Sequence, residues 1–105
     1  LATVKIKQND TKDNIKATLS NESGPVDLTG ATVRFLMSKS GTVKVDRQAQ
    51  IQDAVNGIVW MVFEQGDTNE TGSFQAEFEV TFSDARIETF PNDSFILINI
   101  INDLG

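Results

Sequence analysis

Carboxylates are the only groups in this chain numerous enough to support chemistry: fifteen Asp and Glu stand against nine Lys and Arg, with no histidine and no cysteine. Without histidine there is no side chain that ordinarily titrates near neutral pH, and the commonest ligand for zinc, copper and iron is missing. Without cysteine there is no thiolate nucleophile, no sulfur ligand and no disulfide. What is left is a pair of acids of the glycosidase kind. Glu77 and Glu79 share one phase of an alternating segment, but nothing in the sequence marks either for a raised pKa, and such residues are normally the solvated side of an amphipathic strand. Asp10 with Asp13, and Asp67 with Glu70, offer oxygen ligands of the kind calcium takes. Neither stretch follows the alternating-acid loop with its central Gly and terminal Glu, so solvated turns are the reading. No catalytic, cofactor-binding or metal-binding residue is assigned.

Asn-x-Ser/Thr occurs at Asn9, Asn21, Asn69 and Asn92. Each triplet falls in an expected turn, as a glycan acceptor would, yet these same residue types form turns by composition alone. Trp60, the single tryptophan, could offer a flat face to a sugar. It stands in the most apolar run of the chain, where a core position is expected. No phosphate-cradling glycine pattern and no esterase elbow is present. A net charge of −6 repels phosphate backbones, so nucleic acid is not an expected partner. The apolar runs at residues 58–63 and 95–98 fall far short of the roughly 20 residues that span a bilayer as a helix. No basic-then-apolar leader opens the sequence, a soluble product is expected, and a start at Leu1 without methionine points to a trimmed chain.

The elements that would hold these residues are strands. Phe74, Ala76, Phe78, Val80 and Phe82 alternate with Gln75, Glu77, Glu79 and Thr81, the period of a half-buried strand. Val4 and Ile6 alternate with Lys5 and Lys7; Ile15, Ala17 and Leu19 alternate with Lys16, Thr18 and Ser20. Ala31, Val33, Phe35 and Met37 form another inward row, while residues 43–47 and 49–53 read as shorter strands nearer an edge. Turn residues separate the runs about every dozen positions. Asn56-Gly57 is the strongest hairpin signal and predicts a type I′ turn joining residues 49–53 to 58–63 antiparallel. No window has helical spacing, so residues 67–71 could supply one turn of helix at most. The whole predicts an all-β fold in one domain over residues 1–105: an immunoglobulin-like antiparallel β-sandwich of seven to nine strands, with a small barrel as the alternative. Seven Phe and many Val and Ile, at roughly 1.5–3 kcal/mol for each fully buried side chain, supply the core.

Two strands break the half-buried rule. Residues 58–63 and residues 95–98 with Ile100 and Ile101 are apolar in both phases, so a loop or another subunit must cover the second face. If Ile98 lay on a subunit seam, Ile98→Asp would lower the oligomeric mass and leave the β signature intact.

The segment Gly24-Pro25-Val26-Asp27-Leu28-Thr29-Gly30-Ala31-Thr32-Val33 has a direct physical reading. Pro25 fixes a turn, Leu28 plugs the core, Asp27 and Thr29 bond nearby backbone, and Gly30 permits a bend. Together with Asn56-Gly57-Ile58-Val59-Trp60, Gly72-Ser73-Phe74-Gln75-Ala76-Glu77 and Thr89-Phe90-Pro91, it resembles the N-terminal domain of the upper baseplate protein of siphophages. The resemblance runs from about Asp10 to Ile100. It implies an immunoglobulin-like module of the virion tail baseplate, phage- or prophage-encoded, that docks the host-recognition apparatus onto the tail. Other tail and baseplate proteins, such as a distal tail protein, are the implied partners, and a homotrimer is implied with them. A bacterial surface adhesion domain and a carbohydrate-binding module are the competing readings.

Overall fold

The computed structural model describes residues 3–12 and 14–104. Asp13 lies outside the described residues. The elements are β1 (Thr3–Lys7), β2 (Asn14–Thr18), β3 (Ser20–Asn21), β4 (Gly24–Pro25), β5 (Thr32–Lys39), β6 (Thr42–Gln48), β7 (Gln50–Asp53), β8 (Ile58–Val62), β9 (Gly72–Thr81), β10 (Ile87–Phe90) and β11 (Ile96–Ile101). No helix occurs among the described residues, and 64–68 form a hydrogen-bonded turn closed by Asp67 N–H on the Glu64 carbonyl. The all-β expectation is therefore met.

Two sheets make the sandwich. The larger runs β1-β11-β9-β5-β6, with β10 also on β9; the smaller runs β2-β8-β7; β3 and β4 are the two short arms of a single turn. Alternation decides which side chains enter the space between them. From the larger sheet come Val33, Phe35, Met37, Phe74, Ala76, Phe78, Val80, Ile98 and Ile100, and from the smaller Ile15, Val59 and Met61, all essentially without exposure. Phe35 and Phe78, directly opposite on β5 and β9, meet edge to face with centroids 5.2 Å apart. Such a pair adds about 0.5–1.5 kcal/mol beyond the area it buries.

Four sequence expectations are corrected in detail. First, the sheet is mixed: β1 pairs with β11 in parallel, while every other pairing is antiparallel. Second, Asn56-Gly57 does join β7 to β8, but only Gly57 has positive φ (71°). The loop spans residues 54–57, with Asp53 accepting from the Asn56 N–H and side chain. The geometry with positive φ at both central residues, which a type I′ turn needs, belongs instead to Ser40 (52°) and Gly41 (83°) between β5 and β6. Third, Trp60 is not a core residue. Val59, Met61 and Phe63 take the inward phase, which turns Ile58, Trp60 and Val62 to the outer face of the smaller sheet. Fourth, Ile98 is fully buried, so it cannot be a seam; the outward residues of β11 are Leu97, Asn99 and Ile101.

Besides the two-residue arms β3 and β4, one strand lies outside the expected runs. β10 and β11 both pair with the same edge of β9, Phe90 opposite Phe78 and Ile96 opposite Ala76. They act as one neighbour strand interrupted by a detour of residues 91–95, which begins with a cis Phe90-Pro91 bond.

The segment before β5 does what its residues suggest. Leu28 is fully buried, Asp27 Oδ1 accepts from the Thr29 N–H at 2.9 Å and its hydroxyl at 2.6 Å, and Gly30 bends at φ 77°.

Candidate functional site

The acids that sequence singled out are engaged separately. Glu79 lies on the outer face of β9 with Arg34 of β5 opposite it, Nη1 3.7 Å from its Oε1. Arg34 in turn holds Asp46 of β6 at 2.6 Å. The three form a charged row across neighbouring strands, and the hydrogen bond to Asp46 raises the Arg34 pKa above its ordinary value. Glu77, half-buried on the same face, lines a cavity of about 380 Å3 beneath the 91–95 detour. The two glutamates are thus tied to different surroundings.

Among the described residues Asp67 is the most buried acid. It receives Arg47 through two contacts, Nη1 to Oδ2 at 2.7 Å and Nη2 to Oδ1 at 3.0 Å, and its Oδ2 also accepts the Glu64 N–H at 2.6 Å. Arg47 projects from the inward phase of β6, opposite Phe35, and gives a further bond to the Val62 carbonyl at 3.3 Å. The Asp67 hydrogen bond raises the Arg47 pKa against the opposing effect of burial. The pair fastens the larger sheet to the end of the smaller one. Glu70 is bound elsewhere, to Lys39 at 3.2 Å. Thr68, fully buried, donates to the Asp10 carbonyl at 2.8 Å. Residues 64–71 are therefore fastened on three sides. Among the described residues no group of three or more acids converges where a metal ion could sit.

The remaining candidates are also accounted for. Asn21 accepts from the Ser23 N–H, Asn69 accepts from Lys44 at 2.6 Å, and Asn92 donates to Glu88 and the Thr89 carbonyl. Asn9 sits in the β1–β2 turn at φ 71°. Trp60 Nε1 donates to Gln50 at 2.6 Å, leaving the indole half-buried on a strand flanked by Lys16 and Gln50.

What sequence reasoning missed is a difference between the two flanks of the sandwich. On one flank the chain itself passes between sheets: Ala49 links β6 to β7 and donates to the Val33 carbonyl at 2.8 Å. Among the described residues the opposite flank is open, because β1 ends the larger sheet and β2 ends the smaller. Between them runs a groove of about 370 Å3 lined by Val4, by Ile15 through Ser20, and by Phe90, Pro91, Asp93, Ser94 and Ile96. Lys5 and Lys7 on β1, Lys12 between the two strands and Lys16 on β2 are exposed on the elements that border this flank, and Lys16 lines the groove itself. Among the described residues none of the four is in an ion pair, whereas Arg34, Lys39, Arg47 and Arg86 all are. The available signal was the crowding of four of six lysines into the first sixteen residues of a chain of net charge −6.

The pattern of the BppU N-terminal domain family matches residues 2–99. The chain belongs to that family. It is accordingly a phage baseplate structural domain, placed in the virion tail and associated with other tail proteins. Among solved structures, the N-terminal domain of phage TP901-1 ORF48 superposes with a TM-score of 0.68 at 19% identity, covering 97% of this chain and 85% of that one. CopC from Methylosinus trichosporium OB3b superposes with a TM-score of 0.55 at 17% identity, covering 97% of this chain and 88% of that one. At these identities the likeness is one of fold. A search among curated proteins finds no match to the chain.

Proposed function

We propose that this BppU N-terminal domain, folding as a single unit over residues 1–105, docks the host-recognition apparatus onto the phage tail and carries no catalytic, metal or cofactor site of its own. The family match over residues 2–99 carries the reading. The geometry supports it: Asp67, Glu70 and Glu79 are spent on ion pairs that fasten strands and loops. A distal tail protein is the proposed partner, and self-association as a trimer is proposed with it. The outward residues Phe95, Leu97 and Ile101 are the apolar surface available for a seam.

The test is light scattering and co-elution of the purified chain, alone and with the distal tail protein and the remaining baseplate proteins of its phage. A complex with a tail component is expected. A chain that joins none of them, and is missing from purified virions, refutes the reading. For the trimer, Leu97→Asp should lower the mass of the free chain to that of a monomer with the β spectrum intact. A monomeric wild type at high concentration dismisses it.

A further inference from the structure

We infer that the open flank takes an extended acidic segment of a partner protein, added as a new strand along the outer edge of β2. Three observations meet there. Among the described residues the edge of β2 has one strand neighbour, β8, so alternate backbone N–H and C=O groups on its other side are available for a ladder. The groove beside it is lined by six consecutive residues, Ile15 through Ser20, and across from them by Phe90, Pro91, Asp93, Ser94 and Ile96, whereas β1 contributes only Val4. The added strand therefore belongs on β2. The flank also carries four cations that, among the described residues, stand outside ion pairs in a molecule of net negative charge.

These features specify the occupant. A strand alternates its side chains, so one phase would enter the groove against half-buried Ala17 and buried Ile96, and small apolar residues fit there. The other phase would stand beside exposed Lys16, where an Asp or Glu lies within cross-strand reach. The acid Asp93 in the groove lining sets a limit on how far a run of acids extends. A second copy of this chain fits worse. Antiparallel pairing of β2 with itself about its middle residue would place Lys16 opposite Lys16, and lysine on an edge strand is a known guard against such pairing.

The inference rests on the assembly reading for why a partner exists, and the two can fail separately. The probe is the acetylated, amidated heptapeptide Glu-Val-Glu-Val-Glu-Val-Glu, with its Lys-for-Glu counterpart as control, titrated into the isotope-labelled chain and followed through backbone amide resonances. The acidic peptide is expected to shift residues 14–18 and slow their amide exchange, and the basic one to leave them unchanged. Lys16→Glu, at an exposed position, should weaken the acidic peptide about 2- to 30-fold. Thr18→Glu, exposed on the same face, should weaken it in the same direction. No response in β2, an equal response to both peptides, or a wild-type dimer that Lys16→Glu dissociates would overturn the inference. Capture of wild type and Lys16→Glu alike by baseplate proteins would overturn the edge while sparing the assembly role. Peptide binding at β2 without capture by any tail protein would support the edge and sink the assembly role.

Discussion

Arg47→Met tests whether the Arg47–Asp67 pair fastens the two sheets. The side chains of Arg47 and Asp67 are 26% and 10% exposed. Methionine retains most of the aliphatic stem that packs beside Phe35 and removes only the guanidinium. Asp67 would then keep its bond from the Glu64 N–H and lose both contacts from Arg47. Removing one member of a fully buried pair costs about 3–5 kcal/mol. Water reaches part of Arg47, so the expected loss is smaller, about 2–4 kcal/mol, out of the 5–15 typical of a domain this size. In urea, with a slope of about 1–3 kcal/mol/M, the midpoint falls by roughly 0.7–4 M. The double variant Arg47→Met/Asp67→Asn retains an acceptor for the Glu64 N–H and leaves no buried unpaired carboxylate; Glu64, which also loses Arg47 at 3.2 Å, is exposed to water. It should be more stable than Arg47→Met alone, with a coupling of about 1–3 kcal/mol. Equilibrium urea unfolding, followed by circular dichroism, measures all the corners of the cycle. A loss under about 0.5 kcal/mol for Arg47→Met, or additive single and double variants, would refute the reasoning.

Further outcomes follow from other contacts. Gly57→Ala places a Cβ 2.7 Å from the Leu19 carbonyl oxygen and 2.8 Å from that of Val26, at φ 71°; it should cost about 3 kcal/mol or more in thermal unfolding, against about 1 kcal/mol for Gly41→Ala, where only the backbone conformation is unfavourable. Trp60→Ala should cost about 1–2 kcal/mol and Phe78→Ala about 3–5, because the indole stands on an outer face and the phenyl ring in the core; acrylamide should quench Trp60 fluorescence readily, and a shielded indole would contradict its outward placement. Ile98→Asp should abolish cooperative unfolding altogether, since it buries a charge where nothing pairs with it. Asp27, hydrogen-bonded by the Thr29 hydroxyl and N–H, and Asp84, bonded by the Arg86 N–H and guanidinium, both have lowered pKa values. A lowered value stabilises the fold above the unfolded pKa of about 3.9 and that stabilisation is lost as pH falls through the folded value, so the melting temperature should drop only in strong acid, and less so in Asp27→Asn/Asp84→Asn.

The strands legible in the sequence are those whose two faces differ. β9 is one: Phe74, Ala76, Phe78 and Val80 are buried and their polar neighbours are not. The edge positions of β6 and β7 were legible for the same reason, as polar-rich alternation. In residues 58–63 both phases are apolar, so pattern alone does not say which one faces the other sheet, and Trp60 was assigned inward. Val43 and Val45 have the spacing of one face, yet Val43 is 58% exposed and Val45 is buried. The register slips between them, Met37 facing Val45 and Ser38 facing Val43, so Lys44 is the extra residue of a bulge. β10 was missed because four residues between a turn and Pro91, beginning with exposed Ile87, carry too little alternation. The parallel placement of β1 on β11 joins opposite ends of the chain, and no local signal records such a pairing. Of the candidate surface, the lysine cluster was visible in the first sixteen residues; the groove it surrounds exists only once β1 and β2 end separate sheets.

The interruption between β10 and β11 has an evolutionary meaning. Because Phe90 and Ile96 are each anchored independently to β9, the five residues between them can be exchanged or lengthened while the ladder on either side keeps its place. Doubling such a segment costs only about 0.6 kcal/mol in closure entropy. Phages that retain this scaffold thus have one position at which new surface can be added without redesigning the strands, and divergence among relatives should concentrate there.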